Sequence, residues 1–146
     1  MSHSIHSDAY PAQLRFSELR AGRRLPEFRA SVSRDANERY WRAAGVQHPR
    51  LEAGALYPLI AANLTILAFQ GLCPDAMIQT RQRLRCHRIA DANRELVVDG
   101  EVIARYEKRG REYVDVRAIV TTADEPDLPL WTSEVTFTPA ETLGAA

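Results

Sequence analysis

Apolar positions crowd together in YPLIAANLTILAFQG, residues 57 to 71, and nowhere else do they run so long. Leu59, Ile60, Ala61, Leu64, Ile66, Leu67 and Phe69 cover nearly the whole circumference of a 3.6-residue repeat, which predicts a helix from Leu56 to Gln70 buried on every side. Pro58 sits near its first turn, Gly71 is a C-terminal stop and Pro74 follows shortly. Upstream, Phe28 to Val32 reads as extended chain. Ser33 then caps a short helix with acidic residues in its early turns, and Gly45 stands just past its end. Beyond the long helix the period falls to two. Met77 to Arg88 alternates, with Ile78, Thr80, Gln82, Leu84 and Cys86 on one side and Gln79, Arg81, Arg83, Arg85 and His87 on the other. Glu101 to Arg109, Tyr113 to Thr121 and Trp131 to Thr138 are further β-rich runs, and Gly110 turns the first of these into the second. One buried helix followed by consecutive strands predicts an α+β fold, an antiparallel sheet curled around the helix. Such a sheet has an edge to cover, and pairing two protomers is one way to do so.

Composition narrows the classes of function. A chain of 146 residues, 45% hydrophobic, suits a single domain, here expected over residues 14–140 with polar tails at 1–13 and 141–146. The formal charge of zero gives no overall electrostatic reason to expect nucleic acid or an anionic membrane as partner. The apolar run is shorter than the roughly 20 residues of a membrane span and contains Asn63 and Thr65. His3 and His6 are isolated, and Cys73 and Cys86 lie outside any metal-ligand spacing, so neither metal nor cofactor is expected. With no signal-like N-terminus, a reducing cytoplasm is the expected setting, and both cysteines are expected to be buried, inert thiols.

The order of these pieces carries a resemblance. AAGVQHP at 43–49, the helix YPLIAANLTILAFQGL, the strand IQTRQRLRCHR and DGEVIARYEKRGREYVDVRAIVTT followed by a final strand resemble the MaoC-like (R)-specific enoyl-thioester hydratase and dehydratase family. The resemblance extends from about Leu25 to Pro139 and implies a hotdog fold. It implies as substrate an acyl-CoA or acyl-carrier thioester, or a related β-hydroxy or enoyl compound. It also implies a homodimer or a heterodimer with a paralogous hotdog chain. The family's catalytic loop reads Gly-Asp-x-Asn-Pro-aliphatic-His, its Asp and His moving the protons of hydration. With Gly45 and Pro49 fixed, the Asp position falls on Val46, the Asn position on His48 and the His position on Leu51. Neither valine nor leucine transfers a proton. Sliding the motif to Arg34-Asp35-Ala36-Asn37 recovers Asp and Asn, but puts Glu38 at the Pro position and Tyr40 at the His position.

His48 is therefore the expected catalytic residue, against the simpler reading of a turn cap in place of the structural Asn. Gly45, Tyr57, Leu59 and Asn63 are expected to bind substrate, the amides of Tyr57 and Leu59 holding the thioester oxygen because Pro58 has no N–H. Asp35 and Glu52 are candidate second groups. Arg81, Arg83, Arg85 and His87 could meet coenzyme A phosphates or an acidic carrier surface, or simply be the wet side of a sheet. Three functions stay open: a hydratase or dehydratase centred on His48, an inactive hydratase-like subunit paired with a competent paralogue, and a thioesterase using Glu52.

Overall fold

The structure, a computed structural model, describes residues 13–140. The tails expected at 1–13 and 141–146 fall outside it apart from Gln13. After a single 3-10 turn at Phe16–Glu18 come β1 (Phe28–Ser31), α1 (Arg34–Ala43), α2 (Pro49–Glu52), α3 (Ile60–Leu72), β2 (Met77–Cys86), β3 (Glu95–Lys108), β4 (Arg111–Thr122) and β5 (Trp131–Pro139). The strands form one antiparallel sheet in the order β1-β3-β4-β5-β2, with α3 packed on one face.

The local signals hold where they rest on backbone chemistry. Ser33 Oγ accepts the Ala36 amide at 3.1 Å to start α1. At its other end Gly45 takes a φ of +71°, with its amide on Arg42 O at 3.0 Å and the Val46 amide on Trp41 O at 3.1 Å, a Schellman ending that only glycine enters without strain. Arg109 and Gly110, both at positive φ, close the β3–β4 hairpin directly after the Lys108–Arg111 pair.

The inner face of the sheet is built by Leu96, Val98 and Val102 of β3, Val114, Val116, Ala118 and Val120 of β4, and Trp131, Val135 and Phe137 of β5, all buried. Onto it α3 lays Ile60, Ala61, Leu64, Ala68, Phe69 and Leu72, the Phe69 ring stacked on Phe137 at 4.5 Å between centroids.

Four expectations need correction. The helix begins at Ile60, because the carbonyls of Tyr57 and Pro58 first close 3-10 turns to the amides of Ile60 and Ala61 at 3.1 Å. It is not buried on every side: a single sheet covers one flank, leaving a stripe of Leu59 (52% exposed), Asn63, Leu67 (38%) and Gln70 in solvent. In β2, Gln79 pairs with Phe137 but Arg81 with Thr136, so Thr80 is an extra residue and the strand changes face there. Gln79 thus joins the inner side, where its amide donates to Gln82 at 2.9 Å, and leaves the arginine row. Cys73 is fully buried, as expected, whereas Cys86 is exposed because β2 is an edge strand.

Candidate functional site

The site region is the stretch where α1, α2 and the start of α3 meet. Its organising residue is Asn37, on the buried face of α1 one turn before Trp41 and itself only 1% exposed. Asn37 Nδ2 donates to Ala55 O at 2.9 Å, and its Oδ1 accepts the Tyr57 amide at 2.9 Å. Both ends of the side chain are thereby satisfied, and the chain entering α3 is clipped to α1. Sequence reasoning met Asn37 only in a rejected register of the motif. Its place in the buried i, i+4 pair with Trp41 was the signal available.

That clip decides what the start of α3 offers a ligand. The Tyr57 amide, expected to face a thioester oxygen, already has its acceptor in Asn37. The Leu59 amide has no acceptor among the described residues, so it is the donor left at this end. Around it, the Tyr57 ring lies 5.6 Å from that of Tyr40, and Asn63 Nδ2 reaches the Tyr40 hydroxyl at 3.5 Å, a long contact. Tyr57, Leu59 and Asn63 therefore do gather at one place, with Tyr40 as the member that sequence reasoning left out.

His48 is held differently. It is the N-cap of α2, in extended conformation, with Nδ1 accepting the Arg50 amide at 3.2 Å. With Nδ1 as acceptor, the neutral ring carries its proton on Nε2, which is a donor and not a base. The ring is exposed, and no hydrogen bond links it to the Tyr40–Tyr57–Asn63 group among the described residues. Gly45 supplies the left-handed turn and, with Trp41, Arg42, Val46, Gln47 and Glu52, lines a surface hollow of about 310 Å³.

Val46 is half-buried at the end of α1, and Leu51 is 8% exposed on α2. Trp41 lines one hollow with Leu51 and another with Val46; it is 3% exposed, its indole N–H has no acceptor among the described residues, and its ring carries the Arg42 guanidinium at 5.1 Å. Asp35 is engaged by Arg39 one turn on. Glu52 is exposed and lines the hollow. No helix among the described residues is long and apolar enough to cross a membrane, and no cluster of three His, Cys, Asp or Glu that could hold a metal occurs among them.

No protein-family model matches the chain, and a search of curated proteins finds no match. Solved structures do resemble it. The unliganded (R)-hydratase PhaJ1 from Pseudomonas aeruginosa superposes with a TM-score of 0.70 at 17% identity, over 87% of this chain and 86% of that one. A MaoC-like dehydratase from Rhodospirillum rubrum gives 0.70 at 16% identity, over 86% and 96%. The HadBC (3R-hydroxyacyl-ACP dehydratase) complex from Mycobacterium tuberculosis gives 0.64 at 19%, over 81% and 96%. These neighbours are hydratases and dehydratases of the hotdog fold, and this chain shares that fold, here a five-stranded antiparallel sheet with α3 packed on one face.

Proposed function

We propose that this chain is a hydratase-like hotdog subunit that contributes acyl-thioester binding surface and pairs through β2 with a second hotdog chain, without itself supplying the acid and base of hydration. The observation that carries the reading is the state of the Gly45–Leu51 turn. In the register fixed by Gly45 and Pro49, the positions that would hold the proton-transferring Asp and His carry Val46 and Leu51, and Leu51 is buried. The imidazole nearby, His48, uses its acceptor nitrogen to cap α2. Adding water across an enoyl thioester requires one group to take a proton from water and one to deliver a proton at the α-carbon. Valine and leucine do neither.

What the chain retains supports binding. The Leu59 amide, without an acceptor among the described residues, is available to donate to a thioester carbonyl, and the exposed Leu59 and Leu67 offer apolar surface to an acyl chain or a partner helix. The open ten-residue edge of β2 supports pairing, as does the likeness to a chain of the heteromeric HadBC complex.

The second reading is a lyase centred on His48, favoured by the exposure of its ring. Hydration of crotonyl-CoA separates the two. The subunit reading expects no turnover from the purified chain and the same background for His48→Ala. Turnover by the wild type that falls by about 10²–10⁴ in His48→Ala would establish the lyase instead.

A further inference from the structure

We propose that the outer side of the β2 edge selects the partner by charge: it rejects a second copy of this chain and accepts a non-identical chain whose edge strand carries carboxylates at alternate positions. The inference rests on the pairing reading above and identifies the partner's chemistry.

The two edges of the sheet are unlike. On the β1 side the backbone of β3 is occupied. Phe28–Ser31 pairs with residues 95–98, and beyond it the Leu25 amide donates to Gly100 O at 2.8 Å, the Gly22 amide to Val102 O at 2.7 Å, and the Val102 amide to Arg23 O at 2.8 Å. On the other side, β2 pairs with β5 along one flank and with nothing among the described residues along the other. Ten residues of unpaired strand make a ready template for another strand. On the inner side of the sheet α3 presents the exposed Leu67 and Leu59. A partner that continues the sheet and also covers this stripe must carry a strand with a helix on the same face, which is this layer arrangement again.

Past the bulge at Thr80, Arg81, Arg83 and Arg85 lie opposite Thr136, Glu134 and Thr132 of β5, on the outer side of the sheet. All three are exposed, and none has an ion-pair or hydrogen-bonding partner for its side chain among the described residues. Elsewhere on that side the ionised groups have partners: Arg117 pairs with Glu134 at 3.1 Å, and Asp115 accepts from the hydroxyls of Thr136 at 2.6 Å and Tyr106 at 3.2 Å. Arg81, Arg83 and Arg85 thus make a row of cations along the open edge with no carboxylate bound to any of them among the described residues.

Symmetry then fixes what a homodimer would do. A two-fold axis normal to a continuous sheet keeps the outer side of each protomer on the same side, and directly opposed residues in antiparallel strands share a side. The odd-numbered arginines of one copy therefore meet odd-numbered residues of the other. An axis through Arg83 sets it against itself and Arg81 against Arg85. An axis through Gln82 sets Arg81 against Arg83, and one through Leu84 sets Arg83 against Arg85 and Arg81 against His87. Each register stacks like charges across the seam, where opposed like charges destabilise a ladder. Carboxylates on the facing strand turn the same contacts favourable, so one row supplies both rejection and selection.

A charge-reversed copy of the chain provides the complement. Arg81→Glu, Arg83→Glu, Arg85→Glu in one molecule is mixed with the wild type, and association is followed by sedimentation velocity at low and at raised salt. The expected result is a mixed dimer at least about tenfold tighter than either parent homodimer, loosened by salt, while any wild-type homodimer is tightened by salt as repulsion is screened. The triple Gln variant should self-associate more strongly than the wild type. Unchanged melting temperatures of the monomers confirm that both variants fold. A wild-type homodimer as tight as the mixed pair overturns selection by charge while leaving pairing through β2 standing. If neither parent nor the mixture associates, the edge is no interface and the pairing reading falls as well.

Discussion

The inner face of the sheet and the Gly45–Tyr57 segment are both packed and ordered by hydrogen bonds, but different physics holds them. The face under α3 is a broad apolar contact in which Phe69, Leu64 and the β3–β5 valines exclude water over a continuous area. The segment depends on a few directional bonds: Asn37 to Ala55 and Tyr57, His48 to Arg50, and the Schellman turn at Gly45. Area-driven packing tolerates changes of side chain that preserve volume and pattern. A directional turn accepts fewer residue types, and its bonds here use Asn37, His48 and backbone atoms rather than the side chains of Val46 and Leu51. The scaffold is thereby preserved around a turn that carries Val46 and Leu51.

Mutations in the two regions should differ in size and kind. Phe69→Ala, which empties a fully buried site stacked on Phe137, should destabilise by about 3–5 kcal/mol, read from denaturant unfolding. A loss below about 1 kcal/mol would show that the sheet and α3 are not one core. Asn37→Ala leaves the Ala55 carbonyl without its donor and the Tyr57 amide without its acceptor, and should cost about 1–3 kcal/mol. Hydrogen exchange at the Tyr57 amide should accelerate with it; protection unchanged in the variant would mean the clip is not what holds the entry to α3.

His48→Ala removes only the cap of a four-residue helix and should cost no more than about 1 kcal/mol, measured as a small shift in unfolding midpoint. A larger loss would make the turn as much a part of the core as Phe69. The smallest effect concerns the cysteines. Burial pushes the Cys73 thiol above its ordinary range, whereas Cys86 stands exposed on the edge strand. A thiol reagent should modify Cys86 in the native protein and reach Cys73 only on unfolding. Because the folded state holds the Cys73 proton more tightly than the unfolded chain, its stabilising contribution is complete below the unfolded thiol pKa and is lost as pH rises towards the folded one. Cys73→Ala should flatten that alkaline decline in stability.

Much of this architecture was legible from local chemistry. Ser33 and Gly45 bound α1, Gly110 turns β3 into β4, and the apolar run from Leu59 to Phe69 announces a helix that must be packed against something. Each of these signals acts within a few residues, through a cap, a positive φ or a repeating period, so the sequence carries it directly. The region of the site was legible in the same way, since Gly45, His48 and Pro49 mark a turn leading towards an apolar helix.

The side of α3 left in solvent depends on how much of the helix the sheet covers, and the sequence marks it only through Asn63 and Gln70, since apolar residues cover nearly the whole circumference. The bulge at Thr80 arises from pairing between β2 and β5, and it moves Gln79 across the sheet while leaving Arg81, Arg83 and Arg85 in a row. Cys86 is exposed for the same topological reason, that β2 ends the sheet. Asn37 reaches Ala55 and Tyr57 across a separation of 18 and 20 residues, a contact that exists only once α1 has docked beside the start of α3. The sequence by itself determined the elements and the apolar character of Val46 and Leu51, because both are properties of single residues and their near neighbours. Tertiary structure decided which amide stays free, which edge stays open and which charges stay unmatched, because each depends on what distant segments cover.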